Sequence, residues 1–442
     1  MRKRLVMAVA AAVLALVPAH VHADEWRAPE QVVASEFVND ASFTYARDGR
    51  PLVGWHHLLD FNAHNPLSVA SAAVGWRGSS GWQSLRIDNG FTPALVDADT
   101  DGRLLAVGTG WEWNGYDVTE PARIDAWSGS YPAGGELRLD SAPQTIWRGG
   151  IGAQAADQND RGDVAIAWFG RTFATPPGHT NAYVSIRRAG GGRFGPRRRL
   201  GLARPRGFSR IATDVNSRGD TVVAWRGDAY VYVRVARRGR PFAPARVVGR
   251  VSGDGTVGGV ALGQDGDVSV LWSRTTGKQP LFVHAYSPDG RRFGRAQPLD
   301  LCPARGCGSP RTATGRDGEL FVAWSTYDGA DPVVRAAAVR SGSVDKREVA
   351  RPGGLGLAGL SIHADRSGRA ALAWAAPYGM PTGFSVALAQ PGEAFGAPEF
   401  VPTSEFLYWA IVRLEPASGR PGVLFQPTTY AEQDGLFLTE RR

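Results

Sequence analysis

Eight glycines punctuate this chain at nearly even intervals: Gly49, Gly102, Gly162, Gly219, Gly266, Gly318, Gly368 and Gly419. Six residues beyond most of them stands a tryptophan: Trp55, Trp168, Trp225, Trp272, Trp324 and Trp374. Gly108 and Phe425 take that place in the second and eighth copies. Successive glycines are 53, 60, 57, 47, 52, 50 and 51 residues apart. A fixed period of this size belongs to repeat architectures, whose units bury their apolar faces only against one another.

The fourth copy reads as four strands. Residues 208–214 form a short strand, Val215 to Gly219 a turn and Asp220 to Trp225 the returning strand. Tyr230 to Val235 is a third strand, and Phe242 to Val248, with Pro244 near its start, a fourth. Each is rich in Val, Tyr or Phe and bounded by turn residues. Gly219 supplies the positive φ of the hairpin, and Asp or Asn before it bonds the turn's own backbone. Val222-Val223-Ala224-Trp225 lacks alternation, so both faces of that strand are covered. The tryptophan then fills the wedge between neighbouring units.

An aromatic residue followed closely by proline marks the fourth strand, as in Phe194-Gly195-Pro196, Phe242-Ala243-Pro244 and Phe395-Gly396-Ala397-Pro398. Proline suits an outermost strand, which can spare a backbone donor. The same signature stands near the start, in Trp26-Arg27-Ala28-Pro29, while Gly435 to Thr439 reads as a third strand with no fourth behind it. The N-terminal strand therefore completes the last unit and closes a ring. On these residues the chain resembles the β-propeller superfamily across residues 25–440. The resemblance implies an all-β, eight-bladed propeller of four-stranded blades, or seven blades if the irregular second copy is an insertion. It points to no single enzyme family.

The first residues, Met1-Arg2-Lys3-Arg4, then an apolar run from Leu5 to Val17 and Val21-His22-Ala23, read as a signal peptide over 1–23. The expectation is a secreted protein with one propeller domain over 24–442, a monomer with no membrane span. Cys302 and Cys307 are the only cysteines, and an oxidising compartment would join them as a disulfide in a short loop. Of 50 basic residues only Lys3, Lys278 and Lys346 are lysine. The cluster Arg197, Arg198, Arg199, Arg204 and Arg206 reads as a solvated blade edge, since charged edges deter strand pairing between molecules. Export argues against a nucleic-acid partner.

Several groups can carry chemistry. Asp97, Asp99 and Asp101, before Gly102, have the D-x-D-x-D-G form of calcium loops. Leu105 stands where propeller calcium loops of the integrin type place a further acid, so calcium is a candidate at this turn alone and no other cofactor is expected. Loops between second and third strands share one face. Two carry aromatic, acidic and imidazole groups suited to sugars: His56, His57 and Asp60 in the first copy, and Trp111, Glu112, Trp113, Tyr116 and Asp117 in the second. The sixth adds Tyr327 and Asp328, and the last Tyr430, Glu432 and Asp434. Arg161-Gly162-Asp163 and Arg218-Gly219-Asp220 spell an integrin-binding tripeptide at positions the turn already requires.

A sialidase-like reading would use Arg171, Arg226 and Arg274, each close behind a blade tryptophan, to grip a sugar carboxylate. The sialidase Arg-Ile-Pro start is missing, and glycine and tryptophan are six apart where that family's Asp-box has three. The expected function is a binding or scaffold module that recognises a glycan or an extracellular protein on the face of those loops. A glycan-cleaving hydrolase is the alternative.

Overall fold

The computed structural model describes residues 25–34, 38–46, 48–58, 70–89, 91–98, 102–113, 118–132, 135–140, 142–171, 180–204, 210–276, 279–301, 307–329, 331–353, 357–376, 380–404, 406–427 and 435–442. The signal-peptide segment lies outside them. The described chain folds into eight antiparallel sheets, seven of four strands and one with a fifth, short strand. In seven blades the strands run in chain order from the inside outward. The fourth blade, for example, comprises Ile211–Val215, Thr221–Arg226, Tyr230–Ala236 and Arg246–Arg250. First strands of successive blades neighbour one another around the whole circle, and that of the eighth meets that of the first. The protein is an eight-bladed β-propeller.

Each turn glycine of the repeat adopts the left-handed backbone that only glycine enters without strain, with φ between 71° and 91°. At Gly219 a Cβ would also meet Asp163 Oδ2 at 2.8 Å. Asparagine or aspartate three residues ahead of the glycine fixes three of the turns. Asn159 Oδ1 accepts from the Arg161 and Asp163 amides (3.0 and 2.9 Å), and Asn216 does the same for Arg218 and Asp220. Asp365 repeats it in the seventh blade.

The second strand Thr221–Arg226 is buried at every residue. Each of the eight apolar clusters of the molecule spans one junction between consecutive blades. Trp225 packs on Leu200, Val184 and Phe169 of the preceding blade, and Trp272, Trp324, Trp374 and Trp55 behave alike. The wedge is stitched where the indole reaches the previous blade's outer strand. Trp225 Nε1 donates to Leu202 O and Trp272 Nε1 to Arg250 O, both at 3.2 Å. Glycine at that strand, Gly201 or Gly249, makes room for the ring.

The second copy is a full blade and not an insertion. Its third strand runs long, Val118–Ser130, and a further pair, Arg138–Leu139, folds back on Gly129 and Ser130 before the fourth strand Gln144–Arg148. That excursion accounts for the 60-residue spacing. With glycine at position 108, the junction to the first blade is filled by Trp76 and Tyr131. Trp147 joins Trp168 and Tyr183 at the next junction.

The aromatic-proline signature lies one step ahead of the fourth strand, so the strand begins later than its sequence suggests: Arg246 in the fourth blade, not Phe242. The residue after the aromatic donates to the third strand. Gly195 reaches Ile186 O, Ala243 reaches Val235 O, Gly294 reaches Tyr286 O and Gly396 reaches Leu388 O, all at 2.8–2.9 Å. A proline after that bond costs no further pairing.

The N-terminal segment repeats the arrangement inside the last blade. Trp26 bridges Arg441, Arg27 N–H donates to Glu440 O, and Glu30–Ala34 then pairs antiparallel with Gly435–Glu440. Side chains fasten it on both sides. Trp26 Nε1 donates to Glu399 of the seventh blade (2.7 Å). Glu440 receives Arg27 (3.2 Å) together with Arg77 (2.7 Å) and the Tyr45 hydroxyl (3.1 Å) of the first blade.

Trp272→Ala, which empties a fully buried wedge, is expected to cost about 3–5 kcal/mol, read as a lowered urea midpoint. An unchanged midpoint would contradict the packing described here.

Candidate functional site

Loops between second and third strands, and those leading from one blade to the next, share one end of the propeller. His56 stands half-buried at this end of Pro51–Leu58, and His57 follows on the same strand. Trp111, Glu112 and Trp113 close the strand Arg103–Trp113, where Glu112 lies opposite Thr119 and Trp113 opposite Val118. The side chains of His57 and of these three, and Asp60, Tyr116, Asp117, Tyr430, Glu432 and Asp434 altogether, lie outside the described residues. Tyr327, half-buried, and Asp328, exposed, end the strand Leu320–Asp328, and Asp328 is held by Arg351 at 2.6 Å. The first and second blades are neighbours, whereas the sixth is three blades removed from the first.

The described cleft at this end lies elsewhere, between the third and fourth blades. It encloses about 420 Å³. One wall is Gly201-Leu202-Ala203-Arg204, the outer strand of the third blade, and the other is Gly227 and Asp228. Trp225 and Tyr232 form its floor, stacked with centroids 5.8 Å apart and planes inclined by 21°. Gly227 packs its backbone close against the half-buried Tyr232 ring, where a Cβ would stand 2.4 Å from it. Arg204 and Asp228 meet at 3.2 Å across the mouth. Leu202 (53%) and Tyr230 (39%) are among the few large apolar side chains left open to solvent, and Tyr230 sits edge-on to Tyr232.

A second set of residues sits on the inner strands, five before each turn glycine, polar in five of the eight: Thr44, Asp97, Asp157, Asp214, Ala261, Ala313, His363 and Leu414. Where the side chain allows, it accepts a bond from the neighbouring blade. The Val215 amide donates to Asp157 Oδ2 (2.7 Å), the Leu262 amide to Asp214 Oδ2 (2.6 Å) and the Leu414 amide to His363 Nδ1 (3.2 Å). The Thr44 hydroxyl is 3.4 Å from Asp97 Oδ1. Burial, and then the adjacent Asp157 carboxylate, push Asp214 well above the usual carboxylate range, and burial raises Asp157 too. Asp214 is thus the harder of the two to ionise. Burial, then the charge of Arg413, hold His363 well below its ordinary range, so its imidazole is neutral. Burial also pushes Arg413 down to about 10, against the pull of Asp97.

Arg366 crosses the axis at the turn end. From the seventh blade it reaches Asp160 (3.0 Å) and the carbonyls of Gln158 (3.2 Å) and Val215 (3.1 Å) in the third and fourth. The sequence reading missed this set, although the shared offset from the repeat glycine was there to find.

Asp97 thus belongs to the inner strand Phe91–Ala98, and Asp99 and Asp101 lie outside the described residues. No group of three or more metal-ligating side chains occurs among the described residues. Cys307 is half-buried against the junction of the fifth and sixth blades, and Cys302 lies outside the described residues. The aspartates of both Arg-Gly-Asp turns are buried. Asp163 takes the Ala189 amide, and Asp220 takes the Arg238 amide and Arg237 at 2.7 Å, so neither is presented to a receptor. Arg226 is buried as well, donating to the carbonyls of Gly253 (2.8 Å) and Gly255, which removes it from any sugar-gripping trio. Of the arginine-rich cluster, Arg197, Arg198 and Arg199 are exposed, with Arg197 4.9 Å over the Trp147 ring; Arg204 is half-buried and paired with Asp228, and Arg206 lies outside the described residues.

A raised carboxyl contributes stability that is present below its unfolded pKa and lost as pH rises through the folded one. Stability should therefore fall as pH climbs above about 4. Asp214→Asn, which keeps an acceptor for Leu262 and a donor for Asp157, should flatten that fall in urea titrations. Parallel curves for the two proteins would show that burial does not raise Asp214.

No protein-family model matches the chain, and no curated protein matches it. Among solved structures, a polysaccharide lyase, an ulvan lyase, superposes with a TM-score of 0.48 at 11% identity, covering 85% of this chain and 96% of its own. The NanB sialidase of Streptococcus pneumoniae does so with a TM-score of 0.38 at 10% identity, covering 94% and 70%. A leech intramolecular trans-sialidase gives 0.40 at 12%, covering 94% and 70%. Likenesses this distant say nothing of the chemistry of this chain, whose place among the β-propellers rests on its own eight blades.

Proposed function

We propose that the protein is a secreted binding module that takes a carbohydrate ring in the cleft between the third and fourth blades. The observation that carries this reading is the half-buried Tyr232 ring, backed by the buried Trp225, beneath a mouth of opposite charges. An aromatic face covers the apolar face of a sugar, while a carboxylate and a guanidinium take its hydroxyls. The volume suits a small ligand, for which pockets run to roughly 300–1,000 Å³. Secretion follows from the leader-like first 23 residues and from Cys302 and Cys307 read as a disulfide.

Cleavage is the less favoured reading because glycoside hydrolysis needs two carboxyl groups about 5–10 Å apart across the bond. Asp228 is the single acid among the residues lining the cleft. The close pair Asp157 and Asp214 lies on the inner strands, where both carboxyls hold backbone amides.

A glycan array followed by titration of the hits tests this reading. Asp228→Ala and Tyr232→Ala should each weaken binding at least tenfold with no turnover of the bound glycan in the wild type. Leu202→Asp, at the exposed wall, should also weaken binding while leaving the Trp225–Tyr232 stack in place. Hits unaffected by all three variants, or products released from a hit, would overturn it.

A further inference from the structure

Charge is distributed unevenly along this chain. Residues 187–250 hold seventeen arginines against three acidic residues, Asp214, Asp220 and Asp228, which leaves the remainder of a chain of net charge +8 acidic on balance. This stretch supplies the outer strand of the third blade and the whole of the fourth. Its three acids are engaged: Asp214 takes the Leu262 amide, Asp220 holds Arg237 and Asp228 holds Arg204. The two outer strands, Arg198–Ala203 and Arg246–Arg250, are built alike, with a buried Leu200 or Val248 ahead of a glycine and with Arg198, Arg199, Arg246 and Arg250 exposed. The outer strands of the fifth to eighth and first blades each include a carboxylate: Asp300, Asp345, Glu399, Glu30 and Asp88. Charge of either sign keeps an edge from pairing with another molecule. Protection of edges therefore does not account for two adjacent blades that use arginine alone.

Arg234, on the third strand of the fourth blade, ties these two edges together. Its Nε donates to Ala243 O (2.7 Å), three residues before Arg246, and its Nη1 to Leu200 O (3.1 Å), the residue after Arg199. One guanidinium reaching both carbonyls sets the two edges side by side. Both edges run into the cleft. Leu202, Ala203 and Arg204 follow Arg199 along its strand and form one wall, and Ala245, next to Arg246, belongs to the lining. Leu202 and Val247, each 53% exposed, stand open among the arginines. Exposed charge of one sign, with no free acid interleaved, concentrates a positive potential on this side of the propeller.

We infer that this double edge binds an anionic polysaccharide, a chain bearing carboxylate or sulfate groups, one ring of which lies in the cleft. The planar fork of a guanidinium matches the oxygens of either group, and the chain's repeated charges meet arginine after arginine along the two strands. Leu202 and Val247 offer apolar surface to the faces of its sugars. That the polyanion is a polysaccharide rests on the reading of the cleft given above, whereas the basic surface does not.

Titration of the whole protein with alginate, dextran sulfate, neutral dextran and polyglutamate over a series of salt concentrations tests the inference, and the first two separate carboxylate from sulfate. At least one of those two should bind at low salt and weaken steeply as salt rises, because a polyanion releases its counterions on binding. Dextran should bind more weakly and with little salt dependence. Arg199→Gln/Arg246→Gln, both at exposed positions, should cut affinity for the preferred polyanion about tenfold and flatten the salt dependence. Arg347→Gln/Arg420→Gln, an equal charge change at exposed positions of the sixth and eighth blades, should alter neither. Tyr232→Ala, in the cleft, should weaken binding and leave the salt dependence as it was. A Tyr232→Ala protein that binds like the wild type, beside a tenfold loss in the first pair, would support the basic surface and sink the reading of the cleft alone. No binding of either charged polysaccharide, equal losses in the two arginine pairs, or polyglutamate or phosphatidylglycerol vesicles bound as tightly as the preferred polysaccharide would overturn the proposal.

Discussion

Antiparallel pairing of Glu30–Ala34 with Gly435–Glu440 is what turns eight sheets into one body. Each blade buries its faces only against its two neighbours, so an open array would leave one apolar face bare at either end. The seam between the last and first blades contains Trp55, Phe43, Leu436 and Leu438, and none of these would be covered without it. The first-arriving segment of the propeller thus finds its strand partner more than 400 residues later, in the last one. Glu440 reinforces the joint by serving three groups at once, two of them from the first blade.

Around that closed ring the molecule uses two different adhesives. Away from the axis, tryptophan wedges and glycine gaps join blade to blade, mostly through apolar contact and bonds to backbone carbonyls, and through Asp300 for Trp324. On the inner strands, side chains of one blade take amides of the next, and the ring there is polar wherever the repeat places Asp or His. This inner circle is uneven. Acids dominate from the second blade to the fourth, and alanine occupies the fifth and sixth. Arg366 reaches across from the opposite side to lie beside the acids, which localises the buried charge to one side of the axis.

Glycine and tryptophan were readable because each answers a demand that few residues meet. Positive φ selects glycine, and a wide wedge between twisted sheets selects the largest ring. Closure was readable because Trp26 copies a signature found in other blades. The fourth strands were set too early, since an aromatic and a proline resemble a strand start when they in fact precede it. The cleft was not legible, because its wall at Leu202 and its floor at Trp225 and Tyr232 come from different blades and meet only when the blades pack. Asp157 and Asp214 read as turn residues, yet the turns are held by Asn159 and Asn216.

Ring closure is tested most directly by cross-linking across the seam in the stated register. Gln31 lies opposite Phe437, so Gln31→Cys with Phe437→Cys should form a disulfide on mild oxidation, joining the two terminal peptides in a proteolytic map and raising the melting temperature. Gln31→Cys with Thr439→Cys, displaced along the strand, should link far less. Free thiols in the first pair, or equal linking in both, would contradict a closed propeller.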